Sequence, residues 1–270
     1  MSLGLVETAR VERGIVPLWP LHLQRLRASA LALGLPLPGT PTPAAALVRA
    51  SAACPAAAVV AVRVTLRDGT ISLEPRAVVD APPEGWRAAA AAFPRPYSPL
   101  SAHKTTARAA AEAAGQAVRA RGYDEALWVG PAGGLTEGTI TNLFVRRGSR
   151  LITPPADGGL LPGIARGRLL ARRMVGGCVV EEGALALADL LEADEAFLTN
   201  AVRGAIPLTA WEGQRLSTGE LWRQAMAAIF AQPEDGCGSS SGHGGFTDRS
   251  PGPGRAATPR LPDHLPERSS

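Results

Sequence analysis

Three prolines crowd into ten residues in the middle of this chain: Pro94, Pro96 and Pro99 fall between Ala91 and Leu100. Proline has a fixed φ and no N–H to give to a ladder, so no helix or strand runs through such a stretch, which reads as a stiff connector. At 270 residues there is room for a modest domain on each side of it. The expected organisation is an N-terminal domain over residues 1–93, a linker over 94–101 and a second domain over 102–232. After Gln232 the composition turns to Gly, Ser, Pro and Arg with almost no aliphatic residues. Such a segment buries too little apolar surface to offset its chain entropy, so 233–270 is expected to be a disordered tail without a catalytic role.

The first half reads as α+β. Leu5–Val11 and Ile15–Leu18 have strand character, and a helix is expected from about His22, with Leu23, Leu26, Ala30 and Leu33 at helical spacing and Gly34 as its stop. Thr42 and Pro43 predict the cap and first position of a helix to about Ala53. Val59–Leu66 and Thr70–Leu73 form a hairpin about Asp68-Gly69. In the second half the pattern predicts a helix over 106–121, strands at 125–129, 135–146, 150–153, 178–181, 195–199 and 206–210, and a helix from about Ile164 to Met174. A short helix at 188–191 follows, then a last one opened by a capping box of Ser217 with Glu220.

The net charge of +4 and pI near 9.5 raise a nucleic-acid reading, but the arginines are scattered and lack the aromatic interleaving that single-strand binding uses. A moderately basic surface suits an anionic small molecule equally well. Cys54, Cys178 and Cys237 form no CxxC pair and no His/Cys cluster suggests a metal. No apolar run reaches membrane-spanning length and the first residues lack a basic region followed by an apolar stretch, so a cytoplasmic protein without a membrane or nucleic-acid partner is expected.

Of the 28 lysines and arginines, only Lys104 is a lysine. Arginine keeps its proton and cannot serve as an amine nucleophile; a desolvated lysine can lose it and condense with an aldehyde.

Seven blocks, in order, carry a family likeness: Glu7-Thr8-Ala9-Arg10, His22-Leu23-Gln24-Arg25-Leu26, His103-Lys104, and Gly134-Leu135-Thr136-Glu137-Gly138 with Asn142-Leu143-Phe144. Thr153-Pro154-Pro155, Leu160-Leu161-Pro162-Gly163-Ile164-Ala165-Arg166 and Ala193-Asp194-Glu195-Ala196-Phe197-Leu198-Thr199-Asn200 complete them. Over roughly residues 4–230 the chain resembles the class IV aminotransferases, pyridoxal 5'-phosphate (PLP) enzymes that include branched-chain and D-amino acid aminotransferases and 4-amino-4-deoxychorismate lyase. The resemblance implies two α/β domains of the D-amino acid aminotransferase-like type (fold type IV) and a homodimer. It implies that Lys104 forms the Schiff base with PLP and then moves the substrate proton, that Glu137 supports the pyridine nitrogen, and that Arg25 and the Gly163-Ile164-Ala165 turn bind the phosphate. It further implies that Leu161 packs against the ring and that Asn200 and Ala201 complete the cofactor set. Two departures stand out. Many members carry a hydroxyl where this chain has Ala165 and Ala201, and the strand and turn that precede the Glu-Thr-Ala-Arg block in the family have no counterpart here. The latter points either to a misassigned start or to a short branch of the family.

Thr8, Arg108 four residues after Lys104, and Asn200-Ala201 resemble the lyase branch; branched-chain enzymes have a glycine at the place of Thr8 and a tyrosine at that of Ala109. The resemblance thus implies a lyase that takes an anionic amine, with Thr8 aiding the leaving group and Arg10 and Arg108 clamping carboxylates, and that releases 4-aminobenzoate and pyruvate. A branched-chain or D-amino acid aminotransferase and a degenerate PLP-binding protein stay open as alternatives.

Overall fold

The computed structural model describes residues 2–231 apart from Asp80, Pro83, 94–97, 131–132 and Gly158. The proline run at 94–97 and the tail expected over 233–270 therefore lie outside the described residues.

The chain opens with β1 (Leu5–Glu12), α1 (Trp19–Ala32) and α2 (Ala44–Ser51), then β2 (Val59–Arg67) and β3 (Thr70–Ala77). These strands form an antiparallel sheet in the order β1-β2-β3, with Thr8 opposite Arg63 and Ala61 opposite Arg76. Alternation along the strands sorts its two faces. Ala9, Val11, Val60, Val62 and Val64 pack under Trp19 of α1 and Leu47 of α2, and Leu5 and Leu66 under Leu26 and Ala30. The opposite face, with Val6, Thr8, Ala61, Arg63 and Arg76, lines a cavity. Ile15 makes only a bridge to Glu12 rather than a strand, because α1 starts three residues earlier than expected, at Trp19 with Pro20 in its first turn. Thr42 does not cap α2; Pro43 occupies the cap position and no side chain bonds there.

Next come β4 (Trp86–Ala90), α3 (Ala109–Ala120), β5 (Glu125–Val129), β6 (Gly134–Gly138), β7 (Asn142–Arg147) and β8 (Arg150–Thr153). They are followed by α4 (Ile164–Arg172), β9 (Met174–Val175), β10 (Cys178–Glu182), β11 (Leu185–Ala186) and α5 (Leu187–Leu191). The described part ends with β12 (Glu195–Asn200), β13 (Gly204–Trp211), β14 (Gln214–Arg215) and α6 (Leu221–Phe230). β6, β5, β4, β13, β12 and β7 pair in that order, and the further pairing of β6 with β7 closes the ring. Its interior holds Trp86, Leu127, Leu143, Val145, Leu198, Ile206 and Leu208. The alternate residues Phe144 and Phe197 stack 5.4 Å apart on the outside, under α4 and α6.

Three expectations change here. The chain enters the second sheet at Trp86, in a stretch before the proline run where no strand was expected, and residues 2–231 as described fall within one compact unit by their contacts. The strand expected over 135–146 is two strands joined by the tight turn Thr139–Thr141. This break is organised by a buried carboxylate outside the segment, Glu125, which accepts hydrogen bonds from the turn. The Ser217–Glu220 capping box does not form; the first N–H groups of α6 donate instead to Glu195, Leu221 N at 3.0 Å and Trp222 N at 2.8 Å.

Candidate active site

A cavity of about 780 Å³ lies between the cavity-facing side of the first sheet, the loop before α3, the β6–β7 turn, the start of α4 and the end of β12. Lys104 reaches it because its segment adds to the free edge of β1: Val6 N donates to Lys104 O at 2.8 Å and Thr106 N to Gly4 O at 2.8 Å. Its amine makes no hydrogen bond or ion pair to a described residue. Burial, reinforced by the charges of Arg108 and Arg25 and only partly opposed by Glu7 and Glu137, pulls the Lys104 pKa down to about 7.

At one end stands a network that the family blocks contained but that the sequence did not reveal as one unit. Glu7 points to the helix side of β1, where its carboxylate accepts from Arg25 Nε at 2.8 Å and Nη2 at 2.6 Å, and from His22 Nδ1 at 2.7 Å. Burial alone would push the Glu7 carboxyl up; the charge and hydrogen bonds of Arg25, with those of His22, overcome it and hold the carboxyl at about 2. Burial pushes His22 down, Glu7 only partly offsetting it, so the ring is neutral at pH 7 and its Nε2 has no partner among the described residues. Arg25 Nη1 donates to Pro162 O at 3.2 Å. Three of the five guanidinium N–H groups are thus taken, and two are left. Beside Arg25 is the start of α4, where Gly163 is the cap residue and no side chain bonds to the first N–H groups, which carry the positive end of the helix dipole. A Cβ on Gly163 would stand 2.0 Å from Asn142 Oδ1, so glycine is required by close approach. Asn142 in turn donates to Leu161 O at 3.0 Å and to Glu137 at 3.3 Å, and Leu161 N donates to Glu137 at 3.0 Å.

Most of the residues singled out from sequence come together. Thr8, Arg25, Lys104, Arg108, Glu137, Leu161, Gly163, Ile164, Asn200 and Ala201 line the one cavity. Ala165 lies buried in the core under α4. Asn200 uses its side chain locally, accepting from Val202 N at 3.0 Å and Arg203 N at 2.8 Å, and so shapes the turn after β12. Arg10 does not join the cavity. It pairs with Glu12 at 2.9 Å, donates to Val202 O at 2.8 Å and lies 5.2 Å over the Phe230 ring, because the strand carries it past the cavity's end.

The structure adds residues that sequence reading missed. Arg63 lines the cavity opposite Thr8 with no hydrogen bond or ion pair to a described residue, and its charge reaches Arg108. The hydroxyl of Thr199 is buried in the cavity wall without a partner among the described residues. Strand alternation is the one signal that could have found Arg63, since it selects the face but not the partner strand's register. Among the described residues there is no group of three or more metal-ligating side chains, and no helix is long and apolar enough to cross a membrane.

Comparison with known proteins gives this arrangement its class. The family described as amino-transferase class IV matches residues 4–211, and the chain belongs to it. The chain is 33% identical over 103 residues to a probable branched-chain-amino-acid aminotransferase of Aquifex aeolicus, covering 37% of this chain and 32% of that one. It is 36% identical over 88 residues to the aminodeoxychorismate lyase of Bacillus subtilis, covering 33% and 30%. The chain thus spans about a third of the length of these curated relatives. A fold IV transaminase from Curtobacterium pusillum superposes with a TM-score of 0.67 at 25% identity, covering 83% of this chain and 84% of that one.

Proposed function

We propose that this chain is a PLP-dependent lyase that releases 4-aminobenzoate and pyruvate from 4-amino-4-deoxychorismate. The observation that carries the reading is the cluster of Thr8, Arg63 and Arg108 on the cavity wall that also holds Lys104. A hydroxyl and two arginines with N–H groups to spare suit a substrate that carries two carboxylates and must lose an oxygen-linked group.

The cavity fits the cofactor on its own evidence. An uncapped helix start, two spare N–H groups on Arg25 and the orphaned Thr199 hydroxyl supply donors for a phosphate, making up for the hydroxyls that Ala165 and Ala201 lack. Lys104 would take the aldehyde, Glu137 the ring nitrogen, and Leu161 and Ile164 the ring face. The chemistry that PLP supplies when bound is an aldehyde for an amine and a ring that withdraws electrons from the carbon losing its proton.

The residues then have separable tasks. Lys104 Nζ, with a pKa of about 7, exists in both protonation states near neutrality and so can take a proton from carbon and give one back. Glu137, held by Asn142 and Leu161 N, would keep a proton on the ring nitrogen. Arg108 and Arg63 orient the carboxylates. The Thr8 hydroxyl would give a proton to the departing enolpyruvate oxygen, and the proton that Lys104 takes from carbon would restore it.

A second reading, a branched-chain or D-amino acid aminotransferase, is favoured by the similar match to the Aquifex aminotransferase over a similar share of the chain. The PLP-loaded protein is therefore to be assayed for pyruvate from aminodeoxychorismate without a keto-acid acceptor. Acceptor-independent pyruvate release is expected; exchange that requires a keto acid, with no pyruvate released, would select the second reading. A homodimer belongs to either reading and is checked by sedimentation.

A further inference from the structure

Glu125, described so far only as the carboxylate that organises the β6–β7 turn, is almost wholly buried, at 1% exposure, at the start of β5 beneath the cavity floor. Its Oε1 accepts from Ala126 N at 3.0 Å, Thr139 N at 3.1 Å and the Thr139 hydroxyl at 2.5 Å. Its Oε2 accepts from Ile140 N at 3.2 Å and the Thr141 hydroxyl at 3.0 Å. Burying a carboxylate for packing alone is costly, and five converging donors mark one that organises what surrounds it. The turn it holds, Thr139–Thr141, lines the cavity. Gly138 has to be glycine for the carboxylate to come this close, since a Cβ there would stand 2.8 Å from Glu125 Oε2 and 2.2 Å from the Thr141 hydroxyl.

From this turn two contacts lead to the substrate end of the cavity. Thr139 O is the acceptor that holds Arg108 Nη2, at 2.8 Å, the only hydrogen bond of that guanidinium to a described residue. Thr139 also packs against α3, where a Cβ on Gly115 would come within 3.3 Å of its hydroxyl; Arg108 is the cap residue of that helix. We infer that Glu125 is a positioning residue for substrate recognition: by clamping the Thr139–Thr141 turn it sets the carbonyl that aims Arg108 at a substrate carboxylate. This rests on the proposed reading of the cavity as a site for a dicarboxylate amine.

In Glu125→Gln the amide nitrogen confronts donors that the carboxylate accepted, Ile140 N–H among them, so the turn shifts while the volume is kept. The test measures the dissociation constant of glutarate, a simple dicarboxylate, on the PLP-loaded protein by calorimetry. The wild type, Glu125→Gln, Arg108→Ala and the double variant are compared, with the melting temperature of each. Glu125→Gln is expected to bind glutarate about tenfold more weakly, equivalent to about 1.4 kcal/mol. The double variant is expected to be no weaker than Arg108→Ala alone, because the two changes remove the same contact. Losses that multiply, or unchanged glutarate binding in Glu125→Gln whatever its melting temperature, would overturn the inference. Should Glu125→Gln not fold, Thr141→Ala removes one anchor of the turn, and binding unchanged from wild type in that variant overturns it equally. Wild-type protein that loads PLP yet does not bind glutarate would remove the dicarboxylate reading and this inference with it. Glutarate binding weakened by Arg108→Ala but not by Glu125→Gln removes the inference alone.

Discussion

The two ends of the cavity hold arginine in opposite ways. At the α4 end, Arg25 is gripped by both oxygens of Glu7 and by Pro162 O, and Glu7 is itself tied to His22. At the other end, Arg108 is held by one backbone carbonyl and Arg63 by no described residue. An anion bound for the life of the enzyme, such as a cofactor phosphate, needs a cation that does not move. A substrate that must arrive and leave suits cations whose N–H groups are left unfilled. The difference lies in what faces each guanidinium, a buried carboxylate in one case and open cavity in the other.

Lys104 stands between the two ends and its replacement is expected to have the largest effect. Lys104→Ala should lower turnover by about 10²–10⁴-fold through loss of proton transfer alone. Borohydride reduction of the PLP-loaded wild type should tag one peptide, that containing Lys104, and should tag none in the variant; a tag elsewhere breaks the assignment. Stability moves the other way. The amine's folded-state pKa of about 7 lies below the ordinary 10.5, so its burial costs stability below pH 10.5, the cost growing down to pH 7 and constant beneath. Apo Lys104→Met should therefore melt higher than apo wild type at pH 7, with the gap closing as pH rises toward 10.5.

Breaking the rigid end comes next. Glu7→Gln leaves Arg25 and His22 facing an amide at a position where the Glu7 side chain is 1% exposed, and the loss of a buried pair of this kind costs about 3–5 kcal/mol. Denaturant titration measures it, and PLP affinity should fall in parallel. In the wild type the Glu7 contribution is present above about pH 4.5 and is lost as pH falls toward 2. His22, pushed down by burial, adds acid lability of the same sign. An acid midpoint unchanged in Glu7→Gln would show that the two ends are not built differently after all.

These contrasts mark what the sequence could disclose. That Lys104, Glu137, Arg25 and Gly163 belong on one cavity was legible because the resemblance ran through ordered blocks that carry them. The strands at 125–129 and 150–153 were legible from local alternation and turn residues, and they stand where expected. What failed depended on distant partners. Glu195 caps α6 from 26 residues away, and Glu125 breaks a strand from 14 residues away. Trp86–Ala90 is a strand only because β5 and β13 flank it. Arg63 needed the register that sets it opposite Thr8. Glu7 was visible as a letter of a motif, but its grip on Arg25 and His22 needed β1 laid against α1.

At the open end, Arg63→Ala and Arg108→Ala should each remove charge-assisted hydrogen bonds worth about 1.5–3 kcal/mol, a rise in KM of roughly 10–100-fold for a dicarboxylate substrate. Melting temperatures should change little, since neither side chain holds a buried carboxylate. That split between KM and stability is the mirror image of Glu7→Gln, and its absence would blur the two ends into one.

Arg10→Ala should have the smallest effect, and it tests the comparison because sequence resemblance placed Arg10 with Arg108 as a carboxylate clamp. Its guanidinium is committed to Glu12, Val202 O and the Phe230 ring, outside the cavity. Glu12 is exposed enough for water to replace the lost partner, and exposed ion pairs contribute about 0–1 kcal/mol. KM for the dicarboxylate is therefore expected to stay within about threefold of wild type, with a small fall in melting temperature from the lost Val202 contact. A KM rise matching that of Arg108→Ala would mean that Arg10 swings into the cavity when substrate binds. The open end would then possess a bound arginine of its own, released on demand, and the contrast between a guanidinium filled by protein acceptors and guanidiniums left unfilled would give way to one between permanent and conditional pairing.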